Sequence, residues 1–231
     1  MQGLSRPEII LALDVDTIEE ARDFADKLYP KIKIFKVGSH LFTAYGPKVI
    51  EMLHKHGAEV FLDLKYFDIP NTVAKAIEAA TRLGVKMLTL HISGGKEMIE
   101  AAVKAAAYQA EVLSSIPPLL LGVTVLTSIQ ADKDEVLGMA QHGLDYGLDG
   151  VVCSVHEAEI LRSQIKKNFI IVTPGIRENN SAGDDQKRVA TVAQAQKAGS
   201  NFLVIGRPIL KADDPIAKTE ALLGEIYGRG N

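Results

Sequence analysis

Short runs of Val, Ile and Leu recur along the chain, and between them lie longer stretches whose apolar positions repeat every three to four residues. The short runs predict β-strands over 9–13, 34–37, 60–64, 87–91, 119–125, 150–153, 170–172 and 202–205. Most are apolar throughout rather than alternating, which marks parallel strands covered on both faces. The longer stretches predict amphipathic helices, for example over 18–28, 73–83, 97–113 and 156–165. Asp16-Thr17 and Asn71-Thr72 are suited to cap helix N-termini, and Gly57, Gly84 and Gly199 stand where a helix must stop before the next strand. Eight strands alternating with helices in 231 residues predict an α/β fold, a single (β/α)8 TIM barrel over 1–231. The alternative is an open doubly wound sheet, but no G-x-G-x-x-G follows the first strand, which disfavours a dinucleotide-binding version. No linker, low-complexity tract or short repeat interrupts the pattern. The longest polar stretch, 178–188, follows the seventh strand and reads as a mobile lid loop.

Composition narrows the function. A hydrophobic fraction of 47% supports a sizeable core, and a net charge of -3 without a basic stripe argues against a nucleic-acid partner. That balance still leaves room for a small anionic ligand held by a few Lys and Arg residues. The single cysteine, Cys153, excludes a disulfide framework and fits a reducing compartment. Its setting, Val151-Val152-Cys153, reads as a buried structural thiol rather than a nucleophile. No apolar run approaches a membrane span and none precedes the first strand, so a cytoplasmic protein with no membrane partner is expected.

The chemistry concentrates in Phe61-Leu62-Asp63-Leu64-Lys65-Tyr66-Phe67-Asp68-Ile69-Pro70-Asn71-Thr72. Strand alternation puts Asp63 and Lys65 on one side, an ammonium held ionised beside a carboxylate and suited to a proton or a developing negative charge. Active sites of (β/α)8 barrels lie at the C-terminal ends of the strands. Asp14, Lys36, His91, Thr127, Ser128, Arg177, Gly206 and Arg207 also fall there. Lys36, Asp63, Lys65 and Asp68 form an alternating charge array in which each charge has opposite-sign neighbours. Its bland counterpart is a salt-bridge network knitting strands two and three. Asp68, however, lies beyond the strand, and Pro70 forces Ile69 extended, which carries the segment away from its own barrel mouth. Gly206-Arg207-Pro208, with Arg177 and the polar loop carrying Gln186, points to a phosphorylated substrate. His91 reads as a histidine packed at the barrel end. No H-x-x-H or H-E-x-x-H pattern suggests a metal.

The segment 63–72 resembles the signature of the orotidine 5′-phosphate decarboxylase family, in its bacterial single-domain form. Val123-Thr124-Val125-Leu126-Thr127-Ser128, Asp149-Gly150-Val151-Val152-Cys153-Ser154, Val172-Thr173-Pro174-Gly175-Ile176-Arg177 and Val204-Ile205-Gly206-Arg207-Pro208 extend the likeness over most of the chain. The resemblance implies a homodimeric barrel lyase of UMP biosynthesis that converts orotidine 5′-monophosphate to UMP and CO2 without metal or organic cofactor. It implies that Lys65 protonates C6, that Asp63 sits beside the substrate carboxylate, and that Lys36 holds Asp63 and a ribose hydroxyl. Asp68 and Thr72 would enter the neighbouring subunit's site. Asp14 would bind ribose and Thr127 with Ser128 the pyrimidine edge. Arg177, Gln186, Gly206 and Arg207 would hold the phosphate end and its lid. The rival enzymes are related barrels acting on sugar phosphates, which share Asp-x-Lys-x-x-Asp but stabilise an enediolate with Mg2+. A nucleotide-binding regulator without catalysis is the rival from another class.

Overall fold

A computed structural model describes residues 6–125, 132–177 and 190–228. Eight strands, β1 (Glu8–Ala12), β2 (Ile34–Gly38), β3 (Glu59–Tyr66), β4 (Met87–His91), β5 (Leu119–Val123), β6 (Gly150–Val152), β7 (Ile170–Thr173) and β8 (Phe202–Ile205), pair in parallel and close into a barrel. Closure is the β1–β8 ladder, which aligns Glu8 with Phe202 and Leu11 with Ile205. Helices follow every strand, so the barrel prediction holds and the open sheet falls away. No helix among the described residues is long and apolar enough to cross a membrane.

The all-apolar strands bury side chains on both faces. One set, including Ile10, Ile34, Phe61, Met87, Leu121, Val172 and Val204, forms a cluster of its own inside the barrel. The other, including Leu11, Phe35, Leu62, Leu88 and Ile171, packs outward against the helices. Burying each such side chain contributes about 1.5–3 kcal/mol. Cys153 is fully buried, and that burial pushes its thiol well above the ordinary value, so it is a packing residue as expected.

The helix after β1 spans Ile18–Leu28 with Thr17 as its N-cap in a capping box with Glu20. Gly57, Gly84 and Gly199 all adopt positive φ where helices end. The expected cap at Asn71-Thr72 is corrected: the helix spans Pro70–Arg82, with Ile69 at the N-cap and Pro70 in the first turn. Proline has no N–H to satisfy and its φ suits a helix start, so it begins the helix ahead of the two polar residues. At the N-terminal end of the barrel, Arg162 donates to the carbonyls of Gly199 (3.0 Å) and Phe169 (2.8 Å) and to Asn201 Oδ1 (2.6 Å). The guanidinium also stacks on the Phe169 ring at 4.4 Å. This residue staples the entries of β7 and β8 together.

Candidate active site

Side chains that point into the barrel become polar at its C-terminal end. On β2 the inward row runs from Ile34 to Lys36, on β3 from Phe61 to Asp63, and on β4 from Met87 to Thr89. Alternation therefore delivers Lys36 and Asp63 to one rim with only 12% and 14% of their side chains exposed. Lys36 Nζ lies 3.4 Å from Asp14 Oδ1 and 3.5 Å from Asp63 Oδ2, and Lys65 Nζ donates to Asp63 Oδ1 at 2.8 Å. The charges alternate along Asp14, Lys36, Asp63 and Lys65, each facing the opposite sign. Burial alone would raise the Asp63 carboxyl. The Lys36 and Lys65 charges, with hydrogen bonds from Lys65 and Thr89, outweigh it and hold Asp63 below the ordinary value. Asp63 is thus a carboxylate at neutral pH.

Alternation does not account for Lys65. Between Leu62↔Leu88 and Tyr66↔Leu90 the ladder slips, with three residues on β3 facing one on β4. Lys65 sits in this bulge at φ 52°, a left-handed conformation that costs a side-chain-bearing residue energy and clusters at functional sites. Its backbone N–H, released from the ladder, donates to Thr89 Oγ1 at 2.9 Å. Thr89 is fully buried and donates in turn to Asp63 Oδ1 at 2.9 Å. Sequence reasoning missed Thr89, although a lone threonine amid Met87-Leu88-Thr89-Leu90 is a buried polar signal on a barrel strand.

Above this chain lies a cavity of about 240 Å³ lined by Asp14, Lys36, Asp63, Lys65, Arg177, Gly206 and Arg207, with Phe61, Val152 and Pro174 among its apolar walls. Both rim arginines expected from the sequence thus face the same space as the lysine–carboxylate pair. Arg177 donates to the Ile176 carbonyl at 2.8 Å; burial lowers its guanidinium from the usual value, and Asp14 opposes that effect. An Ile176–Ala190 bridge, with the Arg177 N–H donating to the Ala190 carbonyl at 2.8 Å, fixes the backbone on which Arg177 sits. A Cβ on Gly206 would lie 3.3 Å from Asp14 Oδ2, so glycine keeps this wall close without touching the carboxylate.

The remaining expected residues divide. Asp68 is exposed, accepts from its own Ile69 N–H at 2.7 Å and makes no ion pair with Lys36 or Lys65, so the four-membered array is not assembled within one chain. Ile69 is extended as Pro70 demands (φ −58°, ψ 151°), and Thr72 lies exposed in the following helical turn. Thr127, Ser128 and Gln186 lie outside the described residues. His91 ends β4 with its ring 5.6 Å edge-on from Phe67, as a packed barrel-end histidine should. Burial, then the Lys65 charge, lower its imidazole against a smaller pull from Asp63, which leaves it neutral at pH 7. Among the described residues no three His, Cys, Asp or Glu side chains converge to hold a metal ion.

A closed (β/α)8 barrel with a lysine–carboxylate pair at its C-terminal rim, opening into a cavity flanked by two arginines, defines a barrel enzyme. Comparison with known proteins makes the class specific. The chain belongs to the Orotidine 5′-phosphate decarboxylase / HUMPS family, whose model matches residues 7–222. The orotidine 5′-phosphate decarboxylase of Trichlorobacter lovleyi is 47% identical over 233 aligned positions, covering 96% of each chain. That of Coxiella burnetii is 46% identical over 234, covering 96% of this chain and 98% of its own. Among solved structures, orotidine 5′-phosphate decarboxylase from Lactobacillus acidophilus superposes with a TM-score of 0.84 at 37% identity, covering 96% of this chain and 99% of the other.

Proposed function

We propose that this protein decarboxylates orotidine 5′-monophosphate to UMP and CO2 in pyrimidine biosynthesis, using the Lys65 ammonium to stabilise and protonate C6. The observation that carries the reading is the 2.8 Å contact between Lys65 Nζ and an ionised, largely buried Asp63 in a cavity that Arg177 and Arg207 also line. Breaking the C6–CO2 bond leaves its electron pair in an sp2 orbital that the pyrimidine ring cannot delocalise. Stabilisation has to come from a charge already in place, which a fixed ammonium supplies without reorganisation. The pair on C6 then takes a proton from Nζ, leaving a neutral amine that regains its proton from solvent. Asp63, beside the departing carboxylate, adds repulsion that CO2 loss relieves. Lys36 and Asp14 suit the ribose hydroxyls, and Arg177, Gly206 and Arg207 the phosphate. The pyrimidine-edge roles of Thr127 and Ser128, and the lid role of Gln186, rest on the family resemblance. Binding energy from the phosphate end would be spent on ordering the reacting end.

The working unit is a homodimer in this reading, with Asp68 and Thr72 of each chain completing the partner's site. Phe67 and Ile69, on either side of Asp68, are 61% and 67% exposed, an apolar pair that a second copy would cover. A cytoplasmic location goes with the reading and suits a lone, reduced Cys153. The test is the loss of orotidine 5′-monophosphate absorbance by purified protein in excess EDTA. Turnover unaffected by EDTA supports the reading. Metal-dependent turnover of a sugar phosphate with no loss of the nucleotide would replace it with the sugar-phosphate alternative.

A further inference from the structure

The hydroxyl of Thr89 occupies a position in which its hydrogen bonding has one solution. A backbone N–H only donates and a carboxylate only accepts. The Lys65 N–H, at 2.9 Å, therefore takes a lone pair of Oγ1, and the hydroxyl proton is committed to Asp63 Oδ1, also at 2.9 Å. The same Oδ1 accepts from Lys65 Nζ at 2.8 Å, while Oδ2 faces Lys36 at 3.5 Å. Thr89 thus touches both ends of the reactive pair: the backbone that sets where the Lys65 side chain starts, and the oxygen on which its ammonium rests. The bulge gives the hydroxyl this task, because the slip from Leu62↔Leu88 to Tyr66↔Leu90 leaves the Lys65 N–H without a ladder partner in a partly buried place. Without an acceptor there, the left-handed backbone of Lys65 would carry the further cost of an unsatisfied donor. Thr89 is fully buried, and its branched Cβ restricts χ1, so the hydroxyl is aimed before substrate arrives.

We propose that Thr89 is the positioning residue of the Lys65–Asp63 pair, locking the bulge at Lys65 to the orientation of the Asp63 carboxylate through one hydroxyl. The proposal deepens the decarboxylase reading and rests on it for its kinetic consequence, while its structural consequence stands apart. Thr89→Val removes the hydroxyl at nearly constant shape, and the pair Thr89→Ser and Thr89→Ala differs by the hydroxyl alone. With orotidine 5′-monophosphate, Thr89→Val is expected to lose roughly 10- to 100-fold in kcat with KM within about threefold of wild type, the scale of a slightly misplaced reactive group. Thr89→Ser is expected to stay near wild type and to exceed Thr89→Ala by at least about tenfold. The acid limb of the kcat profile should move upward in Thr89→Val, since Asp63 loses one donor. A kcat unchanged in Thr89→Val, or equal losses in Thr89→Ser and Thr89→Ala, would overturn the proposal; the latter would assign the effect to the γ-methyl's packing. Crystal structures of the substrate-free variants separate this outcome from failure of the decarboxylase reading. The Lys65–Asp63 contact should persist in Thr89→Ser and open in Thr89→Val, or in Thr89→Ala if the valine variant does not fold. An unaltered contact in the hydroxyl-free variant refutes the proposal whatever the substrate proves to be.

Discussion

Replacing Lys36 by methionine tests whether the rim charges hold one another in place. The side chain is 12% exposed and stands between Asp14 Oδ1 at 3.4 Å and Asp63 Oδ2 at 3.5 Å. Removing one member of a buried charge pair typically costs about 3–5 kcal/mol, because the other is left uncompensated. Here the loss is smaller. Asp63 retains the Lys65 ammonium and the Thr89 hydroxyl, and Asp14 is 60% exposed to water. We expect a destabilisation of about 2 kcal/mol at pH 7, or about 4–8 °C in Tm for a chain of this size. The pH dependence identifies the cause. A carboxyl held below its ordinary value in the folded state contributes stability that is complete above the unfolded value and is lost as pH falls through the folded one. Lys36 provides part of that depression, so the variant has less to lose in acid. Urea unfolding followed by circular dichroism should give a wild-type advantage that is flat from about pH 7 to 5 and shrinks as pH falls below about 4. An advantage equally large at about pH 3.5 would contradict the reading that Lys36 stabilises the fold through the ionised Asp63.

Two further outcomes follow from the geometry. Arg162→Ala strips three hydrogen bonds and a ring contact from the entries of β7 and β8, far from the rim; it should cost about 3 kcal/mol in thermal or urea unfolding with kcat unchanged, and a Tm within about 2 °C of wild type would contradict the staple. Mixing inactive Lys65→Ala and Asp68→Ala subunits should restore about a quarter of wild-type activity, because random assortment makes half the dimers mixed and each of those holds one intact site; no recovery would mean that Asp68 serves its own chain.

The fold was legible because a parallel barrel writes itself as eight all-apolar runs: β4 and β8 begin and end where periodicity places them, and the other strands differ by a residue or two at their ends. The rim chemistry was legible because lysine and aspartate are costly at the end of an apolar strand, so Lys36, Asp63 and Lys65 stood out. Other features belong to pairs of strands rather than to one. The bulge that turns Lys65 to positive φ exists only in register against β4, and strict alternation along β3 alone puts the lysine on the correct side for an incomplete reason. Thr89 was hidden for the same cause, since its two partners lie 24 and 26 positions away in the chain. The link from Asp14 to Lys36 likewise needs the ends of β1 and β2 set side by side by their pairing. At Asn71-Thr72 the error was local: capping preference favours the polar pair, but the preset φ of Pro70 starts the helix before it.

In the proposed mechanism a preorganised Lys65 ammonium performs the decarboxylation. Its most direct test is the turnover of orotidine 5′-monophosphate to UMP by wild type and Lys65→Ala in metal-free buffer, with thermal unfolding of both. Rapid UMP formation by wild type, and none measurable from a Lys65→Ala protein that still unfolds cooperatively, is the predicted result. UMP formation by a folded Lys65→Ala variant at near the wild-type rate would contradict it.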